Sequence, residues 1–196
     1  MDYFNIFVAL VMGVSLSAAC GFRVFVPLLV AGLAVRFGGV HVGESLQWIS
    51  GDVALVGLGV ATVVEILAYY IPAVDNLLDT VSVPLAAIAG TVLTGGLLAD
   101  MPDAMQWTLA VVAGGGVAGT VSGTTAAVRA ASTGATVGLG NPVVSTVENG
   151  CATVGAGLAL FMPLVAGVGV ILLGVLVFWA WHKLLAKRRE TAEPAA

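Results

Sequence analysis

Apolar residues fall along this chain in blocks of membrane length, separated by short polar interruptions. Residues 3–22 (YFNIFVALVMGVSLSAACGF) carry no charge, and a helix needs about 20 apolar residues to cross the hydrocarbon of a bilayer. Arg23 interrupts the pattern, after which 24–35 add a half-length piece. Residues 53–71 predict a further span with Glu65 inside it, and 81–99 and 106–128 predict two more. The last run, 151–181, has 31 residues without a charge, too long for one upright span, and Pro163 divides it. It is either one long kinked helix or two elements, 143–162 and 163–181. The pattern thus predicts five or six crossings, six being favoured: an all-α, polytopic helical bundle with proline- and glycine-broken helices. A single transmembrane domain is expected over 1–185, and 186–196 read as a basic cytoplasmic segment followed by a disordered tail.

Composition supports this. The chain is 59% hydrophobic and 9% charged, with a mean hydropathy of +1.07. Its 7 basic and 11 acidic residues cannot cover the outside of a soluble domain, so the lipid bilayer is the expected solvent and partner. A net charge of −4 then says little about other partners. Outside the C-terminal cluster no basic patch is large enough for nucleic acid.

The tryptophans mark the ends of spans. Trp48 and Trp107 stand where spans begin, Trp179 and Trp181 where the last one ends, as in an aromatic belt at headgroup depth. Lys183, Lys187, Arg188 and Arg189 follow, which places the C-terminus in the cytoplasm by the positive-inside rule. The acidic stretch ADMPDA (99–104) then suits the outside; Arg36 fits this scheme less well. SLSAAC, ending at Cys20, faintly resembles a lipoprotein cleavage box. The residues before it hold Asp2 and no Lys or Arg, so an uncleaved first span is expected instead.

Several local patterns carry no chemistry. Cys20 and Cys151 lack metal or redox spacing and read as small packing residues. His41 and His182 read as loop and interface residues. GGGVAG (114–119) matches a dinucleotide-binding pattern, but it sits in a membrane-length run and the next acid is Glu148, 29 residues beyond Gly119. Gly115, Gly119 and Gly123 instead repeat every four residues, a small-residue face for close helix packing or for a homo-oligomer. No metalloprotease or serine-hydrolase motif is present. No cofactor is implied, and an enzyme is not expected.

What remains is a set of charges at membrane depth: Arg23, Glu65, Asp75, Asp79, Arg129 and Glu148. Insertion of Asp, Lys or Arg at a helix centre costs about 2.5–3.5 kcal/mol, and such residues normally face a bundle interior or a watery cavity. The backbone near them is set up to break. Pro27 and Pro84 cannot donate to the carbonyls of Arg23 and Thr80, and Pro142 suits the first turn of a helix. Broken helices whose ends point at an ion or solute make the midplane sites of many transporters. The halves also echo each other weakly. SAACGFR (17–23) resembles GTTAAVR (123–129), and PAVDNLLD (72–79) resembles PVVSTVEN (142–149), although the spacing between the two pieces is 49 residues in one half and 13 in the other.

Three stretches, GFRVFVPLLVAGLA (21–34), YYIPAVDNLLDT (69–80) and GLGNPVVSTVEN (138–149), together resemble the bacterial membrane proteins grouped as domain of unknown function 4126. The resemblance runs from about Ser15 to the C-terminal basic cluster. It implies a multi-pass protein of a bacterial inner membrane and brings no established activity. Function therefore rests on the charges. In one reading the four acids line a polar pathway for a small solute or ion, where Asp75 and Asp79, four apart on one helix face, bind a cation or trade a proton, the latter making it proton-coupled. The two arginines then hold the carboxylates or bind an anion, and the seven hydroxyls of residues 119–138 continue the lining. In the other, a non-transporting scaffold or assembly factor uses the charges as buried ion pairs that fix helix register, with Asp75 and Asp79 facing a short loop. A polar cavity reaching Asp79 and Glu148 separates the two.

Overall fold

The computed structural model describes residues 3–192, and the side chains of all of these except 72, 73, 76, 180 and 184–192. The element order is α1 (Tyr3–Phe22), α2 (Phe25–Phe37), a 3-10 helix (Glu44–Ser50), α3 (Asp52–Ala68), α4 (Pro72–Leu97), α5 (Asp103–Leu109), a π-helix (Ala110–Gly115), α6 (Gly116–Thr136), α7 (Asn141–Phe161) and α8 (Pro163–Ala192). No strand occurs among the described residues. Five segments are long and apolar enough to cross a membrane, or six if the 3-10 helix and α3, bent by 68° from one another, count as one span. The expected tail at 193–196 and the side chains of Lys187, Arg188 and Arg189 lie outside the described residues.

The inside of this bundle is built from small residues and the outside from large ones, the arrangement that lipid as solvent favours. α1 buries Gly13, Ser15, Ser17, Ala18, Ala19 and Gly21 around Leu16. Meanwhile Phe4, Phe7, Val53, Val60, Ile88, Val154, Ile171 and Phe178 are exposed on the periphery. The central contact is α1 against α4. The Ser17 hydroxyl donates to the Gly90 carbonyl at 2.9 Å and lies 2.9 Å from the Thr94 hydroxyl.

Proline marks three of the breaks. α1 ends at Phe22 and α2 begins at Phe25, so the interruption falls at Arg23, as Pro27 predicts. α7 opens with Pro142 in its first turn. Pro163 forces Met162 out of helical geometry (φ −140°, ψ 61°), which makes 143–181 two separate helices rather than one kinked one. Pro84 is the exception. α4 runs through it as one helix from Pro72 to Leu97, and Asp75 and Asp79 stand on that helix rather than in a loop.

The glycine face also differs from expectation. A Cβ on Gly114 would meet the Gly90 carbonyl at 2.6 Å, and one on Gly115 would meet the Ala87 carbonyl at 3.2 Å, so these two residues form the close contact with α4. At Gly119 the nearest atom would be the Ala87 Cβ at 3.7 Å, an ordinary contact, and at Gly123 nothing lies within 4 Å. The wide turn of the π-helix brings two consecutive glycines to α4 and rotates the later ones away. Cys20 is buried as expected, whereas Cys151 is exposed on α7.

The helices alternate in direction. Asn5, Val8, Ala9 and Met12 of α1 share a cavity with His41, Gly96, Leu97 and Asp100, so the start of α1, the end of α4 and the loop before the 3-10 helix occupy one end of the bundle. The α1–α2 break, the α3–α4 turn and the α6–α7 turn meet toward the other, where the Ser145 hydroxyl donates to the Tyr69 carbonyl at 3.2 Å.

Candidate functional site

Arg23, Glu65, Asp75, Arg129 and Glu148 are all buried, and Asp79 is half-buried beside them. Arg23 reaches this centre because α1 stops there, and its guanidinium is fully engaged. Nη1 pairs with Glu148 at 3.0 Å and also donates to the Phe22 carbonyl. Nε donates to Asn149 Oδ1 at 2.6 Å, and Nη2 to the Ser145 carbonyl. Arg129, projecting from α6, pairs with the same Glu148 and lies 3.7 Å from Asp79. One carboxylate on α7 thus serves both arginines.

Glu148 and Asp79 supply two anions to these two cations, and a further group separates the guanidiniums. That group is Tyr69, at the end of α3, whose ring has the Arg23 guanidinium 3.9 Å and the Arg129 guanidinium 4.0 Å from its centroid. A desolvated guanidinium over an aromatic face is held by about 2 kcal/mol or more. Nothing in the sequence singled out Tyr69, because an aromatic at the end of an apolar run is commonplace.

Glu65 has a different task. Its carboxylate accepts from the backbone N–H groups of Val24 at 2.8 Å and Phe25 at 3.0 Å. These are the orphan donors at the N-terminus of α2, which starts inside the bundle, and a carboxylate there also meets the positive end of the helix dipole. Among the described residues, Glu65 makes no ion pair of the kind the two arginines make. Asp75, on the first turns of α4, is fully buried, and its Oδ2 accepts from Asn141 Nδ2 at 2.7 Å. Asn141 also donates to Thr133 at 2.9 Å. Asn141 and Asn149 complete this geometry but carry no signal of their own in the sequence, since an uncharged amide at a helix start or inside a helix is commonplace.

The centre lies toward one end of the bundle and not halfway along it. Arg129 and Glu148 stand seven residues from the helix ends at Thr136 and Asn141, roughly 10 Å at 1.5 Å per residue. A polar cavity of about 10 Å³ borders Arg23, Glu65, Tyr69, Ser82, Ser122 and Thr125, room for about one water. The larger cavities, of about 650 and 620 Å³, lie between α1, α7 and α8 and between α6 and α8, and are mainly apolar. Neither Asp79 nor Glu148 lines any of them. Among the described residues, four buried atoms here have no hydrogen-bond partner: Glu148 Oε2, which the two arginines hold as an ion pair, and Arg129 Nη1, Asp75 Oδ1 and Asn141 Oδ1. Among the described residues, no group of His, Cys, Asp and Glu could hold a metal ion.

Residues 10–183, nearly the whole described chain and all of this centre, match the family model described as Domain of unknown function (DUF4126). The chain belongs to that family. No curated protein and no solved structure matches it. Within this DUF4126 chain the two stretches that echo each other meet in space: Asp79, from PAVDNLLD, and Glu148, from PVVSTVEN, both contact Arg129. The weak repeat thereby supplies two acids, one per half, to a single cation.

Proposed function

We propose that this multi-pass membrane protein moves a small solute or ion across a bacterial cytoplasmic membrane, with its C-terminus cytoplasmic and the buried charges as the binding centre in a closed state. The observation that supports the reading is the idle hydrogen-bonding capacity of Arg129 Nη1, a buried donor without a partner in an otherwise tightly paired centre. Each unmet buried polar atom costs about 1–3 kcal/mol. A framework that used charge only to fix helix register would gain nothing from leaving this donor unmet, whereas a passing solute can use it. Purified protein in liposomes, challenged in turn with small carboxylates, inorganic anions and alkali cations on a solid-supported membrane, tests this. A saturable current is expected from one class. Asp79→Asn is expected to abolish it while leaving the protein folded, since the amide keeps the shape but not the charge.

The scaffold reading draws on two observations of its own, the completeness of the Arg23 pairing and the failure of the cavities described above to reach Asp79 or Glu148. It gains if no class gives a current and Asp79→Asn instead lowers stability.

A further inference from the structure

Asp75 is the acid that the paired centre leaves over. It has no exposed surface, and it makes no ion pair among the described residues. A carboxylate taken out of water requires an opposite charge or several donors. Asp75 has one side-chain donor, Asn141 Nδ2, on Oδ2, and nothing on Oδ1. Asn141 has the converse deficit. Its amide nitrogen is used twice, on Asp75 and Thr133, while its own Oδ1 receives no donor although the residue is 1% exposed.

One proton meets both needs. A protonated carboxyl offers one O–H donor and keeps an acceptor, and a primary amide offers the complementary pair, so the two can join by parallel hydrogen bonds. We propose that Asp75 and Asn141 form a proton-binding pair, in which Asp75 Oδ1 carries the proton and donates it toward Asn141 Oδ1. Other charged and titratable groups stand on the same and neighbouring elements. Asp79 is on the same helix, Arg129 on α6, Glu148 on α7, Tyr69 at the α3–α4 turn and Arg23 at the α1–α2 break. Asp75 is within electrostatic reach of Asp79 and Arg129. The pairing itself is independent of transport; that the proton is the coupling ion rests on the transport reading.

Infrared spectra of the protein in lipid bilayers at neutral pH read the proton directly. The wild type is expected to show the carbonyl stretch of a protonated carboxylic acid, moving to lower frequency in deuterium oxide. Asp75→Asn should remove the band and Asp79→Asn should keep it. Asn141→Ala should move it to higher frequency as the hydrogen bond is lost. A wild-type spectrum without the band overturns the proposal whether or not any variant folds, and so does a band that survives Asp75→Asn. The transport reading stands or falls separately. A protein that shows the band but carries no solute current retains the proton pair and loses its coupling role, whereas currents without the band remove the pair alone.

Discussion

Glu148 is the side chain on which most of the centre depends, since both arginines pair with it and neither arginine can shed its charge. Glu148→Gln keeps the shape and removes the anion. Breaking a buried pair in this way costs about 3–5 kcal/mol, so the variant is expected to melt well below wild type in detergent or to fail to accumulate. Tyr69 offers a finer test. Tyr69→Phe keeps the aromatic face between the guanidiniums, while Tyr69→Leu removes it and should cost about 2 kcal/mol or more, read as a lower melting temperature for Leu than for Phe. The six charged residues were legible in the sequence because charge inside an apolar run has few innocent explanations. Their division of labour was not legible. That Glu65 caps α2, Asp75 meets an amide and Glu148 alone bridges two arginines is set by which helix ends meet, a long-range matter that no local spacing encodes.

Among the elements, breaks were readable wherever proline acts on its own chain. Pro27, Pro142 and Pro163 mark the ends and starts they predict, since a missing N–H and a fixed φ are local facts. Pro84 interrupts nothing, because inside a bundle neighbouring groups can take up what one missing hydrogen bond leaves. The glycines show the same limit. A four-residue period pointed to Gly115, Gly119 and Gly123, but the π-helix from Ala110 to Gly115 resets the phase. Gly114→Ala, driving a methyl into the Gly90 carbonyl, is therefore expected to cost about 1–3 kcal/mol by overpacking. Gly119→Ala has room and should be neutral or stabilising by up to about 1 kcal/mol, since alanine favours helix over glycine. Melting of the two variants side by side checks the assignment, and equal losses would mean the face has been misplaced.

For the whole molecule, helix directions make a topological forecast that the spans alone did not. The start of α1 shares one end of the bundle with the loop after α4, while α6, α7 and α8 cross three times beyond that loop. Compartment reporters at the N-terminus and at Ala104 are thus expected on the external side, and one after Arg189 in the cytoplasm. A signal from the same compartment at Ala104 and after Arg189 would sink this arrangement. The sharing of Glu148 between Arg23 and Arg129 has one more consequence, for how the chain could be divided. If synthesis stopped at Ala99, the first fragment would carry Arg23 without Glu148 and Asp79 without Arg129. Made alone, that fragment should be discarded by the cell's proteases. Made together with a second fragment covering 100–196, it should persist, because each piece brings the counter-charge the other lacks, and the pair should purify as one unit without a peptide bond between them.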